Sequence, residues 1–585
     1  MYVRIVCWSM KKLFTLLFAL AVFLFWMFVL PYHVLYQEEI QIFPYTWPHL
    51  KQCLAFPGGV ASYLGEFFVQ FFHVAWLGAL SLAILTALAQ VQSWRVISSV
   101  KANTDIVWYP LSFIPAVCFW TFLCDAGNLV SALVAFLLIC ETAVIVCKSR
   151  RNKLCLPAIA LAYYLAGPMA FILAVFALAD IFTASSAKRA TKVLDTVLII
   201  LTCVLVAGVS VIIFTQYPVK SLLCGVEYSH IPGQYTASFW TAVFSLPAVL
   251  LVSLLPVGKP LKNKTRISVL VAVSAVILFA SYAYVKKHCS KDLERIYAYD
   301  YLAADRQWDK IIAMAEKKTP RTPSEVICLN LALVMKGESG DRLFEFFQAG
   351  IPGLFPNYDA YVFLKFTGSE ALYQAGLLNM ALHYAFEAYQ TFPGGRESAR
   401  HIKRMAEVNM IKGTEDVAEK YMKVLSHTLF YRKWAKKYLQ DQSLMLEDAE
   451  YSRLVGCRNS DPEIFDDMYD YPKQAILRSQ VAKSGKADES FHYLLAYDLL
   501  AKDVESLAND IRLAKIDGPV PELYQEALLV PWITAGGKAE YDRDFVSDEV
   551  LTKAQAFLKD LQTGRTTSYM KGHYGKTFWF YYASK

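Results

Sequence analysis

The chain has 585 residues, 56% of them hydrophobic, with 58 Lys plus Arg against 51 Asp plus Glu. A mean hydropathy of +0.32 is too apolar for an ordinary soluble protein, and the length allows more than one domain. The excess of positive charge lies wholly in the first half: 18 Lys plus Arg against 9 Asp plus Glu up to Val285, then 40 against 42 from Lys286 onward. Those bases form short clusters between apolar runs, where a lipid bilayer explains them and nucleic acid is not called for.

A helix needs about 20 apolar residues to cross a hydrocarbon core about 30 Å thick. Clear candidates run over Leu13–Leu30, Val74–Val91, Val107–Leu123, Leu129–Cys147, Val193–Phe214, Ala237–Val257 and Ile267–Val285. The first follows Arg4, Lys11 and Lys12 without a small-residue cleavage site and reads as a retained anchor. The stretch Leu154–Phe182 is broken by Ala166-Gly167-Pro168 and is either one tilted helix or a hairpin of two short ones. As a hairpin it places sixteen bases, from Arg4 to Arg266, in alternate loops, leaving only Lys51 and Lys220 in the others. The positive-inside rule therefore favours nine spans, with the N-terminus cytoplasmic and everything after Lys286 outside. The expected fold is all-α: a transmembrane bundle over residues 1–285 with an amphipathic first outer loop (32–72), then an extracytoplasmic helical domain over 286–585.

That first outer loop carries the main chemical candidates. Tyr36-Gln37-Glu38-Glu39-Ile40-Gln41 follows the first span directly, and Phe56-Pro57-Gly58-Gly59 leads into an interfacial helix with Tyr63, Glu66, Phe67, Phe68, Gln70 and Phe71. Glu66, Asp125 and Glu227 are the acids of the outer loops that join Glu38 and Glu39 as candidate substrate contacts. Glu141, Asp180 and Asp195 lie near the inner span ends, within reach of Lys148, Arg189 and Lys192, and read as interface pairs. The twelve cysteines form no CxxC pair and no Cys/His run of metal spacing. Phosphate-cradling loops, HExxH, GxSxG and dinucleotide fingerprints are absent from the sequence as well, so no cofactor is expected.

From Lys291 to Lys559 helical segments alternate with Gly, Pro or Asp turns. Gly376 with Ala381, Ala388 and Pro393 marks one helix pair; Gly413 with Ala418 repeats it about 37 residues on. Looser copies fall at Trp308–Ala315 and around Gly485, Ala487, Ser490 and Leu494. This resembles the tetratricopeptide repeat, whose stacks commonly hold a peptide or protein partner. The tail Tyr569–Tyr582, with eight aromatic or histidine residues, is expected to cap the last helices.

Two further resemblances bear on function. An inside N-terminus, early loop acids and an interfacial helix together resemble, weakly, GT-C membrane glycosyltransferases. That likeness implies Glu38 or Glu39 as general base or divalent-metal ligand, acting on a polyprenyl-phosphate-linked sugar. The Phe-Pro-Gly-Gly-x-x-x-Tyr segment, Tyr299-Asp300-Tyr301-Leu302, Leu429-Phe430-Tyr431-Arg432-Lys433-Trp434 and Tyr574-Gly575-Lys576-Thr577-Phe578-Trp579 look like a family of uncharacterised membrane proteins of Bacteroidota. It implies a Gram-negative inner membrane and a periplasmic helical domain. Two expectations remain: a membrane-anchored scaffold binding a periplasmic protein or peptide, or a lipid-linked sugar transferase.

Overall fold

A computed structural model describes residues 2–100, 106–149, 155–183, 189–224, 236–254, 263–356, 362–391, 397–459, 472–513 and 520–584. Every regular element among these residues is helical. Two compact units emerge. The first comprises Met1–Glu294 together with Phe392–Ala399 and His427–Arg432; the second comprises Arg295–Thr391, Arg400–Ser426 and Lys433–Lys585.

Among the described residues of the first unit six apolar stretches have the length to cross a membrane, Cys155–Thr183 only when its two helices are taken together: Ser9–Phe28, Ala75–Val100, Val130–Cys147, Cys155–Thr183, Arg189–Ile213 and Thr265–His288. That corrects the count of nine. Val107–Leu123, read above as a span, and Ala237–Ser253, the described part of the span read above as Ala237–Val257, are shorter apolar helices. Arg189–Ile213 leaves Val197, Ile200, Val204, Leu205 and Ile212 exposed, Ile212 by 76%. So wide an apolar surface suits acyl chains and not water.

The stretch Cys155–Thr183 is not continuous. Gly167 adopts φ +70° ahead of Pro168, which separates helices of 12 residues (Cys155–Ala166) and 13 residues (Phe171–Thr183). The far end of the second arm lies beside the end of Ala75–Val100, where Thr183 Oγ1 donates to Val100 O (3.2 Å). At the tip Gly58 N donates to Tyr164 O (2.8 Å), and Tyr164 OH to Leu54 O (2.9 Å). Each arm rises about 18–20 Å, short of a hydrocarbon core of about 30 Å.

Packing in this unit is aromatic as well as aliphatic. Phe18, Phe25, Trp26, Phe113 and Trp120 are buried, with Phe25 and Trp120 edge to face at 5.1 Å. Glu141 pairs with Arg95 (2.5 Å), and Arg95 and Gln92, which share one helix face, both reach its carboxylate. The chain ends nearest Lys11, Arg95 and Thr183 form one end of the bundle: Tyr109 OH donates to Lys11 O (2.9 Å), and the Lys11 ammonium lies 4.2 Å over the Trp94 ring.

The second unit is built largely of helix pairs. Val362–Gln374 turns through Gly376 (φ +75°) into Leu378–Thr391. Ala371, Ala375, Ala381, Ala385 and Ala388 are buried between and beneath them, and Ser369 Oγ donates across to Ala381 O (3.0 Å). Ala399–Lys412 turns through Gly413 (φ +83°) into Glu415–Ser426. Lys473–Ser484 ends on Gly485 in the left-handed region, and Asp488 then caps Glu489–Ala501 by accepting from Phe491 N. Small residues let paired helices approach closely, and glycine satisfies the left-handed stop. At the C-terminus Phe578 and Trp579 are buried; Trp579 Nε1 donates to Glu526 O (2.6 Å), and Phe344 stacks on Tyr581 at 4.6 Å. His573 and Tyr582 of the same tail are exposed.

Candidate functional site

The loop after the first long helix opens with Pro31–Glu39, whose first free N–H groups need acceptors. A residue from far along the chain supplies them: Glu294 Oε1 accepts from Tyr32 N (2.8 Å) and Oε2 from His33 N (2.9 Å). His33 Nε2 meets Leu123 O at 2.9 Å, and burial drives this imidazole down to about 4, so it is neutral. Burial also pushes Glu294 up to about 7, against the pull of its two backbone donors.

The sign of that shift predicts a pH dependence. An acid whose folded pKa is raised costs nothing below the unfolded value of 4.5, and its cost grows as pH rises toward 7. At 1.36 kcal/mol per unit the full cost is about 3 kcal/mol. Wild type is therefore expected to lose stability relative to Glu294→Gln across that window. Thermal unfolding of both proteins in detergent checks it; a difference independent of pH would refute the assignment.

Glu38 and Glu39, the candidate catalytic pair, are 5% and 9% exposed. Tyr431 OH donates to Glu38 Oε2 (3.1 Å), and His73 Nδ1 lies 3.4 Å from the same atom. His73 is itself stacked on Phe430 at 4.6 Å. Two returning backbone bonds fix the following residues, Ile42 N to Glu397 O (2.9 Å) and Tyr45 N to His427 O (2.8 Å). A carboxylate held this way is enclosed by side chains of its own unit, whereas a general base has to reach a substrate proton.

Thr46 then caps the helix Trp47–Cys53 by accepting from His49 N (3.4 Å), and Pro48 stands where no N–H is required. His49 and Cys53, four residues apart, share one face of this helix. The chain turns at Gly58 (φ +85°) into Gly59–Val69, which delivers Glu66 to the same place. Glu66 Oε2 is 2.9 Å from His49 Nε2, and Cys53 Sγ is 3.9 Å from that nitrogen. Their ligand atoms all lie within 4.8 Å of one another. Burial lowers the His49 pKa, but Cys53 and then Glu66 outweigh it and carry it to about 10. The Phe43 and Tyr63 rings close over the imidazole at 5.6 and 5.8 Å.

The loop acids are therefore distributed over separate clusters, Glu38 with His73 and Tyr431, Glu66 with His49 and Cys53. Asp125 is exposed and only closes a turn, accepting from Gly127 N (3.0 Å). Glu227 lies outside the described residues. Compared with known families, residues 6–585 match the family of unknown function DUF6057. The chain belongs to that family. No curated protein and no solved structure matches it.

What this DUF6057 chain brings together around His49 is not visible to a search for CxxC or Cys/His runs. The helical spacing His49-x-x-x-Cys53 is the one signal present in the sequence, and its third member comes from the next helix.

Proposed function

We propose that this protein is a membrane-anchored scaffold of the inner membrane, its second unit periplasmic and its TPR-like helix pairs holding a protein or peptide partner. The observation that carries this reading is the set of helix pairs closed by left-handed Gly376, Gly413 and Gly485, with alanines packed between the helices of the first pair. Pairs of this kind stack into arrays whose curved faces bind extended partners. The orientation rests on charge: Lys11, Arg95 and Arg189 belong to helix ends away from the loop that holds Glu38, as the positive-inside rule requires of a cytoplasmic face. Enclosure of Glu38 by Tyr431 and His73 weighs against the sugar-transferase alternative.

A photocrosslinking residue in place of Phe386, which is 49% exposed, is expected to give one discrete protein adduct in living cells. A periplasm-dependent reporter fused after Lys585 is expected to be active. Glu38→Gln and Glu39→Gln are expected to leave surface glycans unchanged. Loss of those glycans with normal protein levels would overturn the scaffold in favour of the transferase, and an active cytoplasm-only reporter at Lys585 would overturn the orientation.

A further inference from the structure

Three donor atoms of different chemistry meet in the first loop: an imidazole nitrogen of His49, a thiol sulfur of Cys53 and a carboxylate oxygen of Glu66, all within 4.8 Å. We propose that they form a binding site for a thiophilic divalent cation, with Zn2+ the best chemical match.

The geometry is close to what such an ion needs. Zinc bonds of about 2.0–2.3 Å in a tetrahedron set the ligand atoms about 3.3–3.8 Å apart. Here the nitrogen–oxygen separation is 2.9 Å and the nitrogen–sulfur separation 3.9 Å. An ion between them requires ligand shifts of under about 1 Å. Glu66 Oε2 is buried without an aligned hydrogen-bond donor, although His49 Nε2 is 2.9 Å away. The nitrogen, oxygen and sulfur atoms thus lie together within 4.8 Å.

The scaffold around the three ligands is firm. Thr46 fixes the start of the helix that presents His49 and Cys53, and the Cys53 carbonyl packs directly on Gly59 as the chain enters the helix of Glu66. Phe43 and Tyr63 wall the imidazole, so the centre is sheltered on that side. Donor softness selects the metal: one thiolate and one imidazole suit zinc, whereas magnesium and calcium want oxygen ligands throughout. Three protein ligands leave a fourth position for water or a partner's donor group, the arrangement of an open site.

The test uses the full chain purified in detergent and stripped with chelator, then titrated with Zn2+ alone against a chromogenic competitor. Wild type is expected to bind one Zn2+ more tightly than Cys53→Ser or Glu66→Gln by at least about tenfold. Cys289→Ser serves as the control for the other thiols and is expected to bind like wild type. Co2+ in the wild-type site is expected to show a thiolate charge-transfer band that Cys53→Ser lacks. Zn2+ is also expected to raise the unfolding temperature of wild type and not of the variants, since ligands that bind only the folded state stabilise it. Should Cys53→Ser fail to fold, Glu66→Gln and the cobalt spectrum of wild type decide. Equal Zn2+ affinity in wild type and Glu66→Gln, or a cobalt spectrum without the thiolate band, overturns the site.

Discussion

Replacing Arg404 by methionine is expected to destabilise the second unit by about 3–5 kcal/mol, the usual cost of leaving a buried charge without its partner. The Arg404 side chain is 12% exposed and that of Glu370 is 2% exposed. One guanidinium nitrogen lies 2.5 Å from Glu370 Oε2 and another 3.0 Å from Glu407 Oε2. The guanidinium carbon sits 3.5 Å from the centre of the Tyr373 ring, so cation–π attraction adds to the charge pairing. Methionine keeps most of the volume and removes all of these. Gln374 would still donate to Glu370 (2.9 Å), and Arg400 lies 4.0 Å from it while engaged with Asp300. Both are weaker partners for the carboxylate than Arg404 at 2.5 Å.

Acid should reveal the same network. Burial by itself raises the Glu370 pKa, but Arg404 and Arg400 reverse this and hold it below the ordinary value of 4.5. A depressed acid contributes stability that is present above the unfolded pKa and is lost as pH falls through the folded one. The gap between wild type and the double variant Glu370→Gln/Arg404→Met is therefore expected to narrow below about pH 4.5. Chemical unfolding of the full chain at neutral and acidic pH measures both effects. An Arg404→Met protein as stable as wild type at neutral pH would show that the cluster is solvated and contributes little.

The coarse division of this chain was legible because hydropathy and charge are additive along a sequence. The apolar runs, the basic loops and the break at Gly167-Pro168 all show in the residues themselves. The span count exceeded the structure's where apolar runs form shorter helices, as at Val107–Leu123 and within Ala237–Val257, described as Ala237–Ser253. Other features depend on partners distant in sequence, which leave no periodic mark. Glu294 capping Pro31–Glu39, Glu397 and His427 accepting from Ile42 and Tyr45, and Tyr431 on Glu38 are of this type. In the second unit Asp300, Glu370 and Glu407 are buried. An amphipathic pattern does not distinguish a charge facing water from one facing a guanidinium on the next helix.

Gly59 is the position where a single methyl group should do most damage to the loop. A Cβ built there would stand 1.5 Å from Cys53 O and 2.6 Å from Cys53 C. Both are backbone atoms, so no rotamer change relieves the overlap, and the turn must open. Gly58 next to it is constrained in a different way, by φ +85° and by a Cβ contact of 3.1 Å with Gly167 N, so the strain cannot be passed to its neighbour. Gly59→Ala is expected to cost about 3 kcal/mol or more, at or beyond the upper range for overpacking. Gly208→Ala supplies the contrast. That glycine lies within the helix Arg189–Ile213 with nothing within 4 Å of its Cβ position, and alanine there should gain up to about 1 kcal/mol from helix propensity. Unfolding temperatures of the two variants in the same detergent separate a local steric demand from a general intolerance of substitution in the first unit. Because the turn sets the distance between Cys53 and Glu66, any Gly59→Ala protein that still folds should also lose Zn2+ affinity, whereas Gly208→Ala should keep it. A Gly59→Ala variant as stable as wild type would mean that the two loop helices are not packed through the Cys53 carbonyl, and the geometry around His49 would have to be drawn again.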